Sequence, residues 1–158
     1  MRDTLEIERR YLADPGALPP LPPGTPMEQS YLGFDPVVRV RLQGERAFLT
    51  VKGPGLVARR EVELEIPVPA ARALAELRVE GTAVIRKTRH ELPHGGRTWE
   101  VDVYLPPLDG LVLVEVELGA ADEAPEPPPW AGPEVTEDPR YTNAALARLG
   151  TPSVPTAP

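Results

Sequence analysis

A two-residue beat of charges constrains this chain more than any other feature. It opens as Glu6-Ile7-Glu8-Arg9-Arg10 and returns as Arg39-Val40-Arg41, Thr50-Val51-Lys52, Glu61-Val62-Glu63-Leu64-Glu65 and Lys87-Thr88-Arg89. It closes as Glu100-Val101-Asp102 and Glu115-Val116-Glu117. Successive side chains on a strand point to opposite faces, so each run stacks charges on one face and apolar partners on the other. Seven such segments predict one antiparallel sheet with a highly charged surface. The charges come in blocks of one sign, acidic strands and basic strands. A site that holds metal ions and a polyanion together needs that arrangement.

Size and charge narrow the function classes. The 158 residues fit one domain with a real core. A formal net charge of −7 argues against a general nucleic-acid or membrane-surface binder, though it leaves room for a local basic site. The absence of cysteine excludes disulfides and thiolate metal sites. Met1 leads straight into charged residues, and no apolar run reaches signal-peptide or membrane length, so a cytoplasmic protein is expected.

The alternation places strands at 4–12, 29–33, 37–42, 47–51, 60–66, 83–92, 98–104 and 111–118. Gly44 and Gly53-Pro54-Gly55 supply turns, and His94-Gly95-Gly96 makes a hairpin. The 22 prolines gather in connections and tail: 14–26 reads as a stiff extended spacer and 120–133 as an acidic loop. Apolar residues at helical spacing predict a helix over 68–79. A second helix runs to Leu149, with Asp138 as N-cap, Pro139 at the first position and Gly150 at the C-terminal cap. Residues 1–150 form the domain, and 151–158 read as a disordered tail. His90 and His94 are expected as exposed turn residues, and Trp99 and Trp130 as packing residues.

Which face lies inside is open on pattern alone. A half-buried strand normally sends its polar residues to water. Yet Glu61, Glu63 and Glu65 are three like charges in a row, and like charges so close repel unless opposite charge sits among them. Serine, asparagine and glutamine are nearly missing from these positions. The opposite faces, such as Val38/Val40/Leu42 and Val112/Val114/Val116/Leu118, are apolar enough to need covering by the two helices. A sheet that curls and closes would turn its charged face into a lumen and its apolar face outward.

The ordered set of motifs resembles the CYTH, or triphosphate tunnel metalloenzyme, superfamily. Glu6-Ile7-Glu8-Arg9-Arg10 resembles its ExExK signature, with Arg10 in the lysine's place. The resemblance continues through Gln29-Ser30-Tyr31-Leu32, Arg39-Val40-Arg41, Thr50-Val51-Lys52, Arg60-Glu61-Val62-Glu63, Lys87-Thr88-Arg89, Glu100-Val101-Asp102 and Glu115-Val116-Glu117. It ends in Glu134 to Asn143 and is closest to the small single-domain bacterial branch. The fold it implies is mainly β with flanking helices: an eight-stranded antiparallel barrel around a charged tunnel, with a C-terminal helix near one mouth.

The activity it implies is metal-dependent hydrolysis of inorganic tripolyphosphate or another small triphosphate, and the partner is that small molecule, with no nucleic acid and no membrane. A triphosphate needs converging cations, and arginine adds bidentate geometry. Arg10, Arg39, Arg41, Lys52, Lys87 and Arg89 are assigned to the phosphates. Glu6, Glu8, Glu115 and Glu117 resemble the family's metal ligands, with Glu61 and Glu63 as further candidates. Oxygen ligands suit Mg²⁺ or Mn²⁺. Glu6, Glu8, Arg10 and Lys87 form the expected catalytic group. Glu65, Glu100 and Asp102 are expected to orient basic residues. Arg10 keeps the signature's charge but cannot serve as a proton donor or acceptor. The rivals are a class IV-type adenylyl cyclase, a thiamine triphosphatase, and a non-catalytic polyphosphate-binding protein.

Overall fold

The alternating segments do form strands, and the strands close on themselves. The computed structural model describes residues 1–153. Its strands are β1 (Arg2–Leu12), β2 (Thr25–Phe34), β3 (Val37–Gln43), β4 (Arg46–Lys52), β5 (Ala58–Ile66), β6 (Ile85–His94), β7 (Arg97–Tyr104) and β8 (Val112–Glu117). Around the closed barrel they run β1-β5-β4-β3-β2-β6-β7-β8. All neighbours are antiparallel. β1 divides its pairing: its first half lies beside β5 and its second half beside β8. The free edge of that second half is taken by a later strap, where Leu12 donates to Pro133 O (2.9 Å) and Val135 donates to Arg10 O (2.8 Å).

The barrel is inverted in the sense the charge pattern allows: charges inward, aliphatics outward. Val40 and Ala47 pack outside the wall beneath α1 (Val68–Ala75), against Ala71. The larger outer cluster, from Ile7, Tyr11, Trp99, Val101, Val114 and Val116, is not covered by a helix. Leu18 and Leu21 of the first proline-rich connection and Trp130 and Ala131 of the second lie across it. The expectation that two helices cover the apolar face is therefore corrected. Extended proline-rich chain does that work for β7, β8 and β1, with its shape largely fixed in advance by the prolines. His90 and His94 are half-buried rather than exposed, and the His90 ring lies 2.7 Å from Pro22 O, holding the first strap down.

Both helices differ from the pattern reading. α1 stops at Ala75, not at 79, because the chain tightens into i→i+3 bonds (Leu77 N to Leu74 O, 2.9 Å) and Val79 N then donates to Tyr31 O of β2 (2.9 Å). Leu77 is left exposed. The C-terminal helix divides. Asp138 caps a single 3-10 turn, Pro139–Tyr141, and Thr142 then caps α2, Asn143–Leu149, by accepting from Ala145 N at 3.1 Å. Thr142 adopts extended backbone, which breaks the helix and restarts it in a new direction. Of the expected tail, residues 154–158 lie outside the described residues.

α2 plugs one end of the barrel. Tyr31, Ile85, Tyr104 and Leu113 are inward-facing, and at this end they pack with Leu108, Leu111, Tyr141 and Leu146 into an apolar stopper. Among the described residues no helix is long and apolar enough to cross a membrane. The inversion sets opposite costs for two adjacent residues of β3. Val40 is 2 % exposed beneath α1, so Val40→Asp is expected to destabilise by about 3 kcal/mol or more, through burial of an unpaired charge. Arg41→Ala is expected to leave the urea midpoint nearly unchanged. Equal losses for the two variants in urea unfolding would contradict the inverted packing.

Candidate functional site

The inward faces of all eight strands enclose a cavity of about 200 Å³. Every site residue expected from the sequence lines it: Glu6, Glu8 and Arg10 on β1, Arg39 and Arg41 on β3, Lys52 on β4, Glu61 and Glu63 on β5, Lys87 and Arg89 on β6, and Glu115 and Glu117 on β8. Alternation explains why: each set shares one parity on its strand. Arg2, Gln29, Gln43, Arg59, Glu91, Glu100 and Asn143 complete the wall. Glu65 shares the parity of Glu61 but lies at the rim, where it is exposed and holds Arg46 by two hydrogen bonds (3.0 and 2.7 Å).

The wall carries eight glutamates against eight arginines and lysines, so it is nearly neutral within a chain of net −7. The two signs are interlocked. Lys52 Nζ lies 2.9 Å from Glu6 and 3.2 Å from Glu61. Arg59 Nε donates to Glu6 at 3.3 Å, and Arg41 to Glu63 at 3.3 Å. Arg10 donates to Glu8 at 2.6 Å and to Glu115 at 3.2 Å. Asp102, on the inward face of β7 but fully buried beneath the lining, accepts from Lys87 at 2.6 Å and from Arg89 at 2.7 and 2.8 Å. Arg89 also reaches Glu100 at 2.8 Å, so Asp102 and Glu100 orient basic residues as the sequence suggests.

Arg39 breaks this pattern. It is 6 % exposed, yet among the described residues no carboxylate lies within ion-pair reach of it. Its Nη1 donates to the neutral Gln29 Oε1 at 3.2 Å, and its Nε has no partner. The buried Nε of Arg41 is likewise without one. Buried guanidinium donors without an acceptor are costly, and both guanidiniums line the cavity, where the charge of an anion would offset that cost.

The acidic side is crowded in the opposite sense. Glu8 lies opposite Glu117 in the β1–β8 register, and Arg10 lies opposite Glu115. Burial, then the nearby Glu115 charge, pushes the Glu8 carboxyl up to about 8, against the pull of Arg10. Burial likewise lifts Glu100 to about 7. Burial also works to raise Glu115, but Arg10, Arg89 and Lys87 outweigh it and hold it well below the usual range. Lys87 is pulled down to about 8, chiefly by burial, with Asp102 opposing. Burial and then Arg39 lower Arg41 to about 10, which leaves it charged at neutral pH.

Among the described residues no three carboxylates or imidazoles stand ready-made as a metal cage. The donor set nevertheless fits a hard divalent cation. It is all oxygen, and the Glu8–Glu115 repulsion is what such an ion would relieve. Mg²⁺-type sites take few protein carboxylates and complete their shell with water and phosphate. Glu6, Glu8, Glu115 and Glu117 are the residues that would hold it.

Reasoning from sequence missed Arg59 and Gln29. Setting the start of β5 at 60 hid Arg59, although counting back by two from Glu61 reaches it. Gln29 carries no charge and so gave no beat to follow. His90, His94 and Trp99 belong to packing, and Tyr141 is buried in the stopper.

A closed antiparallel barrel around an interlocked lining of acids and bases is a tunnel built for a small polyanion with a divalent cation. Residues 26–145 match the CYTH domain. The chain is 40% identical over 146 residues to the inorganic triphosphatase of Acetivibrio thermocellus, covering 90% of this chain and 93% of that one. It is 41% identical over 153 residues to the inorganic triphosphatase of Nitrosomonas europaea, covering 90% and 96%. A crystal structure of an inorganic triphosphatase superposes with a TM-score of 0.66 at 37% identity, covering 96% of this chain and 97% of that one. This protein belongs to the CYTH family. Membership carries a requirement for a divalent metal.

The raised Glu8 carboxyl makes stability depend on pH in a defined direction. Its folded value of about 8 lies above its ordinary 4.5, so the folded state binds the extra proton between them. Stability of the metal-free protein should therefore fall as pH rises from about 5 to about 8. Glu100, lifted to about 7, acts the same way. Glu8→Gln should flatten this slope and raise the thermal midpoint at pH 8 by several degrees. Thermal unfolding across that range in chelator tests this, and a wild-type midpoint that climbs steadily from pH 5 to pH 8 would contradict it.

Proposed function

We infer that this protein is an inorganic triphosphatase: it hydrolyses tripolyphosphate, or another small triphosphate, with the help of a divalent cation. One observation carries the reading. Arg39 is a buried cation held without a counter-charge inside a wall where every other cation has one, which leaves its charge for an anionic substrate. Two relatives that the chain matches over nine-tenths of its length are inorganic triphosphatases, which supports hydrolysis over binding alone.

In this reading Arg39, Arg41, Lys52, Lys87 and Arg89 contact the phosphates, and Arg59 joins them. Positioning and charge neutralisation are most of what phosphoryl transfer requires of a protein. Glu6, Glu8, Glu115 and Glu117 hold Mg²⁺ or Mn²⁺, with Glu61 and Glu63 beside the basic strands, and the all-oxygen donor set supports both ions. The bound ion supplies charge neutralisation and Lewis acidity. Arg10 acts by charge alone: burial opposes its charged form, but Glu115 and Glu8 hold its guanidinium above the ordinary arginine range. Arg10 thus keeps the two carboxylates apart and in place. Lys87, near 8, holds a proton that can pass to the leaving phosphate oxygen as the P–O bond breaks; water's oxygen bonds to phosphorus, and the proton that it sheds passes to solvent, from which Lys87 is reprotonated.

Cyclisation of ATP would need a surface for the base. Among the described lining residues of the cavity none is aromatic. Phe48, at the mouth, is already covered by Arg41 and Arg46 at 5.3 and 5.0 Å. We take residues 1–150 as the catalytic unit. Cytoplasmic action is kept as part of the reading; the outer-wall ion pairs Asp3–Arg60 (2.7 Å) and Arg9–Glu134 (3.0 Å) suit water rather than lipid.

The test is phosphate release from tripolyphosphate, ATP and thiamine triphosphate, with Mg²⁺ and with Mn²⁺. Release should be fastest from tripolyphosphate, and no cyclic AMP should form. Glu117→Gln should lose most of the activity, and Arg10→Lys should keep or improve it. Arg41→Ala should weaken tripolyphosphate binding by about 1–3 kcal/mol, the scale of charge-assisted hydrogen bonds. A wild type that binds tripolyphosphate yet releases no phosphate with either ion would overturn hydrolysis.

A further inference from the structure

We propose that Gln29 is a positioning residue that keeps Arg39 aimed and electrically unspent, and so sets the tunnel's affinity for its polyphosphate. The inference rests on the triphosphatase reading. β2 supplies to the charged wall a single neutral side chain, Gln29, which is 1 % exposed. It lies opposite Arg41 on β3, one step along the same inner face from Arg39. Its Oε1 accepts from Arg39 Nη1 at 3.2 Å and from the Tyr31 hydroxyl at 3.3 Å. Arginine only donates, so the amide must present its oxygen to Arg39, and its NH₂ is left to donate elsewhere.

The choice of an amide is what distinguishes this position. Lys52, Arg59, Arg10, Lys87, Arg89 and Arg41 each have a carboxylate partner inside the barrel. A glutamate at position 29 would differ from the glutamine by one terminal atom, and it would give Arg39 the partner the others have. It would also remove the cost of a buried cation without a counter-charge. The glutamine does the opposite: it fixes the guanidinium by a hydrogen bond and leaves the full charge for an anion in the cavity that Arg39 lines. The free protein bears that cost, and bound substrate offsets it. Affinity and stability should therefore move in opposite directions when the charge at position 29 changes.

Gln29→Glu, Gln29→Met and Gln29→Ala separate charge from shape. Each is compared with wild type for KM and kcat on tripolyphosphate, for the thermal upshift given by tripolyphosphate in EDTA, and for the thermal midpoint without ligand. Gln29→Glu should raise KM roughly tenfold or more, the scale of one lost charge-assisted hydrogen bond, with a smaller change in kcat. Its ligand upshift should shrink while its ligand-free midpoint equals or exceeds wild type. Gln29→Met, similar in volume but without an acceptor, and Gln29→Ala keep the charge of Arg39. Both should lose stability yet bind more tightly than Gln29→Glu. A purely structural glutamine gives the reverse order, with alanine worst and the near-isosteric glutamate best, and that order overturns the proposal. So does wild-type KM in Gln29→Glu. Should Gln29→Glu fail to fold, wild-type KM and wild-type ligand upshift in both Gln29→Met and Gln29→Ala would overturn it too, because the aiming bond is lost in each. If wild type neither binds nor hydrolyses tripolyphosphate, the triphosphatase reading fails, and the two failures are told apart by that first measurement.

Discussion

Sixteen charged side chains share one small enclosed space in this barrel, and their mutual neutralisation is the condition on which everything else rests. An isolated ion so buried would be expelled or lose its charge. The wall avoids this by letting each base reach more than one acid where the acidic and basic sides meet: Lys52 binds both Glu6 and Glu61, and Arg10 binds both Glu8 and Glu115. The balance is not complete. An excess of positive charge remains at Arg39 and an excess of negative charge beside Glu8, on opposite parts of the wall. The first suits phosphate and the second a divalent cation. A polyanion would tip a near-neutral lumen negative, and a divalent cation on the acidic side would offset that charge.

Turning the charges inward leaves a second problem outside. The aliphatic faces of β7, β8 and β1 must be hidden, and this chain has little helix to spare. Two proline-rich straps take that place, one tied down at His90 and the other along the free edge of β1. Proline suits the task because a strap that is already extended loses less conformational freedom when it docks. The high proline content is therefore part of the packing scheme.

Much of this was legible in the order of residues. Alternation with period two is a strong signal over runs such as Glu61 to Glu65, and it brought all of the expected phosphate and metal residues to the lining. It could not say which face was inside, because that depends on closure, a property of eight strands together; the family resemblance settled that choice. Where the beat carried no charge the signal vanished, as at Gln29. Strand ends were also obscure: Arg59 precedes Arg60 in a run of two arginines, and only the true register sends one inward and the other to Asp3. The helix ends were set by contacts distant in sequence, such as Val79 with Tyr31.

The apolar stopper at the α2 end narrows the tunnel on that side. The recess beside it, lined by Tyr31 and Thr142 together with Arg39 and Lys52 of the main lumen, holds about 10 Å³, room for roughly one water. The roomier approach lies at the opposite end, among Arg2, Gln43 and Glu63. A linear chain of phosphates would thread in from that side, and one longer than the charged stretch would leave its remainder in solvent at the rim.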